Sequence, residues 1–211
     1  MKVVALVSGG KDSCYSIMKC REHGHEVVAL ANLQPYPDAS DELDSHCFQT
    51  VGHQALELYP ACTGLPLYRL RFHGRSHNRE LAYAVCEGDE VEDLLRLLAY
   101  IKRDFPGLGG VASGAIASDY QRLRVESVCG RLGLASLAYL WHAPQARLLR
   151  VRSQRFWPTH ILDSGLLRSV ASKVQARISD THAWRVPHAP CVLQALVGTS
   201  NAHTHGFLRL A

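Results

Sequence analysis

VVALVSGGKDSCYSIM, residues 3–18, passes from an apolar β-branched run through two glycines, a lysine and an aspartate into residues with helical spacing. Lys2–Val7 shows no polar alternation, so it reads as a strand buried on both faces, as in a parallel sheet. Cys14, Ile17 and Met18 then fall at helical spacing, and Gly24 marks the stop. A strand, a glycine-rich turn and a helix N-terminus together form an anion site. The glycines admit close backbone approach, the first helical N–H groups lack intrahelical acceptors, and the dipole favours negative charge. Two phosphate motifs of this general shape are excluded by spacing. A Walker loop requires glycine where Ala5 stands and Ser or Thr where Asp12 stands. A dinucleotide fingerprint fails because Gly9 and Gly10 are adjacent and no third glycine follows.

Beyond Gly24 the alternation of strand and helix recurs. Val27–Leu33 and Leu67–Phe72 read as buried strands. Between them lie a polar loop through Pro35, Pro37 and DASDELD and a helix expected at about Gln49–Tyr59. Val91, Leu94, Leu95, Leu98 and Ile101 form a stripe of helical period, with Asp89, Glu90, Glu92 and Asp93 crowding its first turn. Those acids read either as dipole complements on a solvated turn or as a carboxylate cluster able to hold a cation such as a metal or ammonium. Gly109–Ile116 is a fourth strand, Ser118 or Asp119 caps a helix running to about Leu132, and Leu134–Leu140 is a fifth strand. On that helix Tyr120, Leu123 and Val128 read as core, while Asp119, Gln121, Arg122, Arg124 and Glu126 read as a polar face. Five alternations predict a doubly wound five-stranded parallel α/β sheet ordered 3-2-1-4-5. The glycine turn then sits over the central strand at the topological switch point.

The bulk properties fit such a domain. The chain has 211 residues, 47% hydrophobic and 20% charged, which supports one core of ordinary size. No apolar run reaches the roughly 18 residues of a membrane-spanning helix, and no signal peptide is visible, so the expected location is cytoplasmic. Seven cysteines without CxxC pairs read as reduced core thiols, and His23/His25 and His203/His205 lack zinc-site partners. Charge separates the chain in two. Residues 151–211 carry seven Lys/Arg against two acids, whereas residues 1–150 are nearly balanced. The basic residues of the tail are dispersed, without the aromatic and basic pattern of an RNA module, so nucleic acid is not the expected partner.

SGGKDS after the first strand resembles the PP-loop of the ATP pyrophosphatase superfamily, which implies a Rossmann-like sheet of PP-loop type. Further segments narrow the resemblance: LANLQP (30–35), SDELDSHCFQTVGHQA (40–55), LPLYR (65–69), CEGDEVEDL (86–94), GAIASDYQRLRVESVC (114–129) and LAYLW (137–141). Together they look like the diphthine–ammonia ligase family, over residues 1 to about 150. The resemblance implies ATP with Mg²⁺, ammonium, and a diphthine side chain on translation elongation factor two. It also implies attack of the diphthine carboxylate on the α-phosphorus, loss of pyrophosphate, and displacement of AMP by ammonia. Such a step rests on positioning and charge stabilisation and needs no protein nucleophile.

On that resemblance Ser8, Gly9, Gly10 and Ser13 cradle the pyrophosphate, Lys11 offers a point charge, and Asp12 orients the loop or a hydrated Mg²⁺. Ala31, Asn32 and Leu33 stand where adenine and ribose lie, and Gly114 and Ala115 face the same crevice. Arg122 is the candidate for a phosphate or substrate carboxylate. The family would continue past residue 149 with further α/β structure and a motif of the form GEGGEYET. Residues 150–211 contain no such stretch and look like an alternative C-terminus, such as a splice variant or frame change. A PP-loop domain over 1–150 and a poorly ordered tail over 151–211 are therefore expected. Two functions stay open: the ligase, and a nucleotide-binding fragment without ligase activity.

Overall fold

The computed structural model describes residues 1–35, 45, 47–48, 53–144, 146 and 148. The expectations for the tail and for DASDELD fall outside the described residues. Five parallel strands form one sheet: β1 (Lys2–Leu6), β2 (Glu26–Gln34), β3 (Leu67–Arg71), β4 (Leu108–Ala112) and β5 (Ala135–Leu137). Their order is β3-β2-β1-β4-β5, as the alternation predicted. β1 is central, pairing Lys2–Leu6 with β2 on one side and Lys2–Ala5 with β4 on the other. Each parallel connection crosses over through helical structure, so the sheet is covered on both faces.

The two faces divide β1 residue by residue. Val3, Ala5 and Val7 pack with Ile17 and Cys20 of α1 (Lys11–Glu22) and with Leu56 and Tyr59. Val4 faces the opposite side, against Leu94, Leu98 and Ile101 of α3 (Glu90–Asp104) and Val125 and Val128 of α4 (Asp119–Leu132). This alternation explains why β1 carries no polar residue between Val3 and Val7: both faces are core. Burying each such side chain contributes about 1.5–3 kcal/mol. Six cysteines among the described residues are free thiols, and Cys20, Cys47, Cys62 and Cys129 are buried. Among the described residues no helix is long and apolar enough to cross a membrane.

Three boundaries differ from the expectation. The helix expected at about Gln49–Tyr59 is a 3₁₀ turn at His53–Leu58 followed by α2 (Tyr59–Thr63), with residues 49–52 outside the description. Pro60 accounts for the start of α2, because proline is tolerated in the first turn of an α-helix. β4 ends at Ala112 rather than Ile116, since Ser113–Ser118 form the approach to α4. β5 stops at Leu137, and Ala138–Trp141 turns back through a 2.9 Å main-chain bond.

Candidate functional site

The turn after β1 is built by its glycines. Gly9 lies at φ 85, in the left-handed region that glycine alone enters cheaply. Gly10 is the extended N-cap residue of α1, and no side chain caps that helix. α3 and α4 are instead capped by Asp89 and Ser118, which accept from Val91 N and Gln121 N. The open first turn of α1 leaves its amides and partial positive charge for a ligand. The Ser13 hydroxyl is buried and donates to Gly10 O at 2.8 Å, closing the turn on itself. Gly114 brings the β4–α4 connection against this turn: a Cβ there would stand 3.1 Å from Ser13 N and 3.2 Å from the Asp12 carbonyl carbon.

A cavity of about 340 Å³ opens above the switch point. Ser8, Gly10, Lys11, Asp12 and Ser13 line it from the turn, Ala31, Asn32 and Leu33 from β2, and Gly114 and Ala115 from beyond β4. The structure thus gathers these expected residues on one wall. Gly9 shapes the turn without being part of the lining. Apart from Gln121, named on the polar helix face, the rest of the wall was not read as part of a site from sequence. Phe48, Leu94, Leu97 and Val125 make it apolar on one side, and Gln121 enters from α4. The lining hydroxyl of Ser113 is buried and has no hydrogen-bond partner among the described residues. Leu94 and Val125 belong to core stripes, so nothing in the sequence marks them as facing a cavity.

Asn32 has a definite task beside the cavity. Its Nδ2 donates to Val7 O at 2.9 Å, and its Oδ1 accepts from Arg69 Nε at 3.1 Å. The buried amide therefore ties the ends of β2, β1 and β3 where the turn begins. Burial holds the Arg69 guanidinium below its ordinary pKa, and Glu57, 3.7 Å away, pulls the other way. Asp12 is the one carboxylate on the cavity wall among the described residues. Among the described residues no group of three metal-ligating side chains exists. A single carboxylate beside an uncapped helix start would fit Mg²⁺ carried in with a nucleotide, and does not make a protein cage.

Arg122 lies outside the cavity lining. Its guanidinium donates to Asp119 at 3.2 Å and Glu126 at 2.6 Å and stacks over the Trp141 ring at 4.7 Å. The hydrogen bonds to Asp119 and Glu126 raise its pKa above the ordinary value. Arg124, expected on the same polar face, is instead fully buried. It donates to the carbonyls of Asn78 (2.6 Å), Glu80 (3.0 Å) and Tyr120 (3.3 Å) and stacks on the Tyr120 ring.

The acid-rich start of α3 departs from a solvated turn in the same way. Asp89, Glu90 and Asp93 are buried, and only Glu92 is reached by solvent. Asp89 Oδ2 accepts from His77 N and Asn78 N at 3.0 and 2.9 Å, and Asp93 Oδ2 accepts from His73 N and Gly74 N, both at 2.8 Å. Glu90 accepts from Ser76 Oγ at 2.8 Å, and burial raises its carboxyl pKa. These carboxylates are consumed by main-chain amides and a hydroxyl of residues 73–78. They pin a loop where the sequence offered either a solvated turn or a cation site.

A five-stranded parallel sheet with an uncapped Gly-Gly turn over its switch point defines an α/β domain of PP-loop type. Within that class the chain belongs to the diphthamide synthase N-terminal domain family, whose model matches residues 1–136. It is 55% identical over 152 residues to diphthine–ammonia ligase of Homo sapiens, covering 71% of this chain and 57% of the relative. The Rattus norvegicus ligase is 56% identical over the same shares. The chain therefore spans a little over half the length of these relatives. Among solved structures, a predicted tRNA methyltransferase subunit of Methanocaldococcus jannaschii aligns with a TM-score of 0.42 and 16% identity, covering 84% of this chain and 88% of that one.

Proposed function

We propose that the protein amidates the diphthine carboxylate of translation elongation factor two, using ATP and ammonium and releasing AMP and pyrophosphate. The uncapped Gly9–Gly10 turn carries this reading, since it offers helix amides and Lys11 to phosphates in a cavity bounded by Asn32 and Gly114. Family membership supplies the acceptor. On this reading residues 1–150 form the ATP-binding domain, residues 151–211 stand apart, and the reaction takes place in the cytoplasm.

The chain's own groups then have defined tasks. Turn amides and the Ser8 hydroxyl hold the β and γ phosphates, Ser13 joins them by turning its hydroxyl away from Gly10 O, and Lys11 neutralises charge on the departing pyrophosphate. Asp12 holds Mg²⁺ that arrives with ATP; the ion supplies charge neutralisation. Ala31, Asn32, Leu33 and the apolar wall take the nucleoside end, with Ala115 beside it. Water exclusion by Phe48, Leu94 and Leu97 protects the activated carboxyl from hydrolysis. Arg122 meets the acceptor carboxylate only by leaving Asp119 and Glu126, which makes it a late participant.

The missing GEGGEYET-like motif favours a second reading, in which the chain binds ATP without ligating. One assay separates them. AMP is measured from ATP with diphthine-bearing elongation factor two and ammonium. Factor-dependent AMP equal to the diphthamide formed supports the ligase; ATP binding without AMP supports the second reading; loss of both removes the site assignment.

A further inference from the structure

We infer that residues 71–79 are a preformed basic docking strip for an acidic face of the acceptor protein, beside the cavity mouth; this rests on the ligase reading above. The segment reads RFHGRSHNR and contains no acid. Arg71, His73, Arg75, His77 and Arg79 are exposed, while Phe72 is buried and Gly74, Ser76 and Asn78 are half-buried. Basic side chains thus project outward at every second position.

The inward side is fixed to a degree unusual for a surface loop. Asp93 holds the amides of His73 and Gly74, Asp89 those of His77 and Asn78, and Glu90 the Ser76 hydroxyl. Arg124 and Tyr120 hold the Asn78 carbonyl, and Arg124 the Glu80 carbonyl. Gly74 sits so close to α3 that a Cβ would fall 2.5 Å from Gly88 O and from the Asp89 carbonyl carbon. The carboxylates that pin the loop are buried, so they do not present negative charge at its surface. Arg71, Arg75 and Arg79 form no ion pair among the described residues. Their backbone is ordered in advance, which lowers the entropic cost of meeting a partner.

Position completes the case. β3 ends at Arg71, at the same carboxyl edge of the sheet as the Ser8–Ser13 turn. α4 joins the two regions: Gln121 and Val125 line the cavity, while Tyr120 and Arg124 hold the strip. A protein that inserts one modified side chain into the cavity must rest its surrounding surface on this rim. Leu81 and Val85, 58% and 65% exposed, add apolar area next to the charges, a mixture typical of protein interfaces. Single-stranded RNA would call for exposed aromatic faces. Phe72 is buried, and Tyr83 is engaged by Glu92, so the strip lacks them.

The test uses the full 211-residue chain, diphthine-bearing elongation factor two, and the triple variant R71Q/R75Q/R79Q. At low salt the variant should bind the factor about tenfold more weakly, with the gap closing as salt rises and ATP affinity unchanged. The triple Arg→Lys variant should recover most of the loss. Equal affinity of wild type and Gln variant at low salt would overturn the strip. So would displacement of the factor by an RNA oligonucleotide but not by polyglutamate, which would reassign these residues to nucleic acid. AMP formation measured in parallel distinguishes the two levels. Undiminished turnover with an unchanged KM for the factor in the variant removes the strip alone. No AMP from wild type, together with no binding of the factor, removes the ligase reading and the strip with it.

Discussion

Ser8–Ser13 and residues 71–89 are both loops that follow a parallel strand and run into a helix, and they treat the helix start in opposite ways. The first leaves the N-terminus of α1 without a side-chain cap and directs its amides at a cavity. The second caps α3 with Asp89 and spends buried carboxylates on the amides of the loop itself. One loop keeps its polar groups available and the other satisfies them internally. A ligand site and a rigid rim are thus made from the same elements by choosing where the negative charge comes from.

The comparison breaks most decisively at Arg124. Arg124→Ala takes a fully buried guanidinium from the Asn78, Glu80 and Tyr120 carbonyls and should cost about 1–3 kcal/mol for each carbonyl left without a donor, read in chemical denaturation. ATP affinity should change less than about twofold, because the group belongs to the rim only. A large loss of ATP affinity at full folding would mean that the two regions are not separable. Asp89→Ala comes next. It deletes a helix cap, worth about 1 kcal/mol. It also leaves the Asn78 amide without its acceptor, at about 1–3 kcal/mol, while His77 N keeps the Arg75 carbonyl, so the melt should shift by the sum of cap and amide.

The turn should respond more in binding than in stability. Lys11→Ala and Ser13→Ala should each weaken ATP by about 1–3 kcal/mol in calorimetric titration. The melt should change little for Lys11→Ala and lose about 1 kcal/mol for Ser13→Ala, whose buried hydroxyl bonds Gly10 O. Ser13→Ala sits at the upper end, because its hydroxyl also closes the turn on Gly10. Unchanged affinity in both variants would show that the uncapped turn does not hold the phosphates.

The smallest effect sharpens the boundary of the rim. Arg131 donates to Glu92 at 2.7 and 2.8 Å, and these bonds hold the Glu92 carboxyl below its ordinary pKa of 4.5. A lowered folded-state pKa means that the contribution is complete at neutral pH. As pH falls below 4.5 the unfolded chain takes up the proton first, and the contribution disappears as pH passes through the folded value. The pair is partly exposed, so less than about 1 kcal/mol is involved. The stability gap between wild type and Glu92→Gln should be constant near neutrality and close in acid. A gap that widens in acid would contradict the sign.

What could be read from sequence follows from where each signal resides. β1, the turn and α1 were legible because glycine pairs, β-branched runs and helical spacing are properties of the residues themselves. α3 was legible as a helix from its stripe, but the burial of Asp89, Glu90 and Asp93 was not. An acid-rich first turn has the same composition whether water or a loop backbone accepts its charge. The partners here are the main-chain amides of His73, Gly74, His77 and Asn78, and main chain carries no sequence signature. Arg124 was hidden for the same reason, its acceptors being carbonyls. The alternation of Arg and His from 71 to 79 was visible and could have marked a strip with one fixed side. Pro60 likewise stood in the sequence as the mark of a helix start at Tyr59, since proline fits the first turn of a helix.

α4 serves as a beam with one face in each region, Gln121 and Val125 toward the cavity and Tyr120 and Arg124 toward the rim. A beam shared by two sites cannot be tilted for one alone. On the proposed function, any free energy by which nucleotide improved the fit of the acceptor would be returned in equal amount when the acceptor arrived first. The two ligands then have no privileged order at equilibrium. An order of addition seen in kinetics would belong to rates of entry and not to the equilibrium.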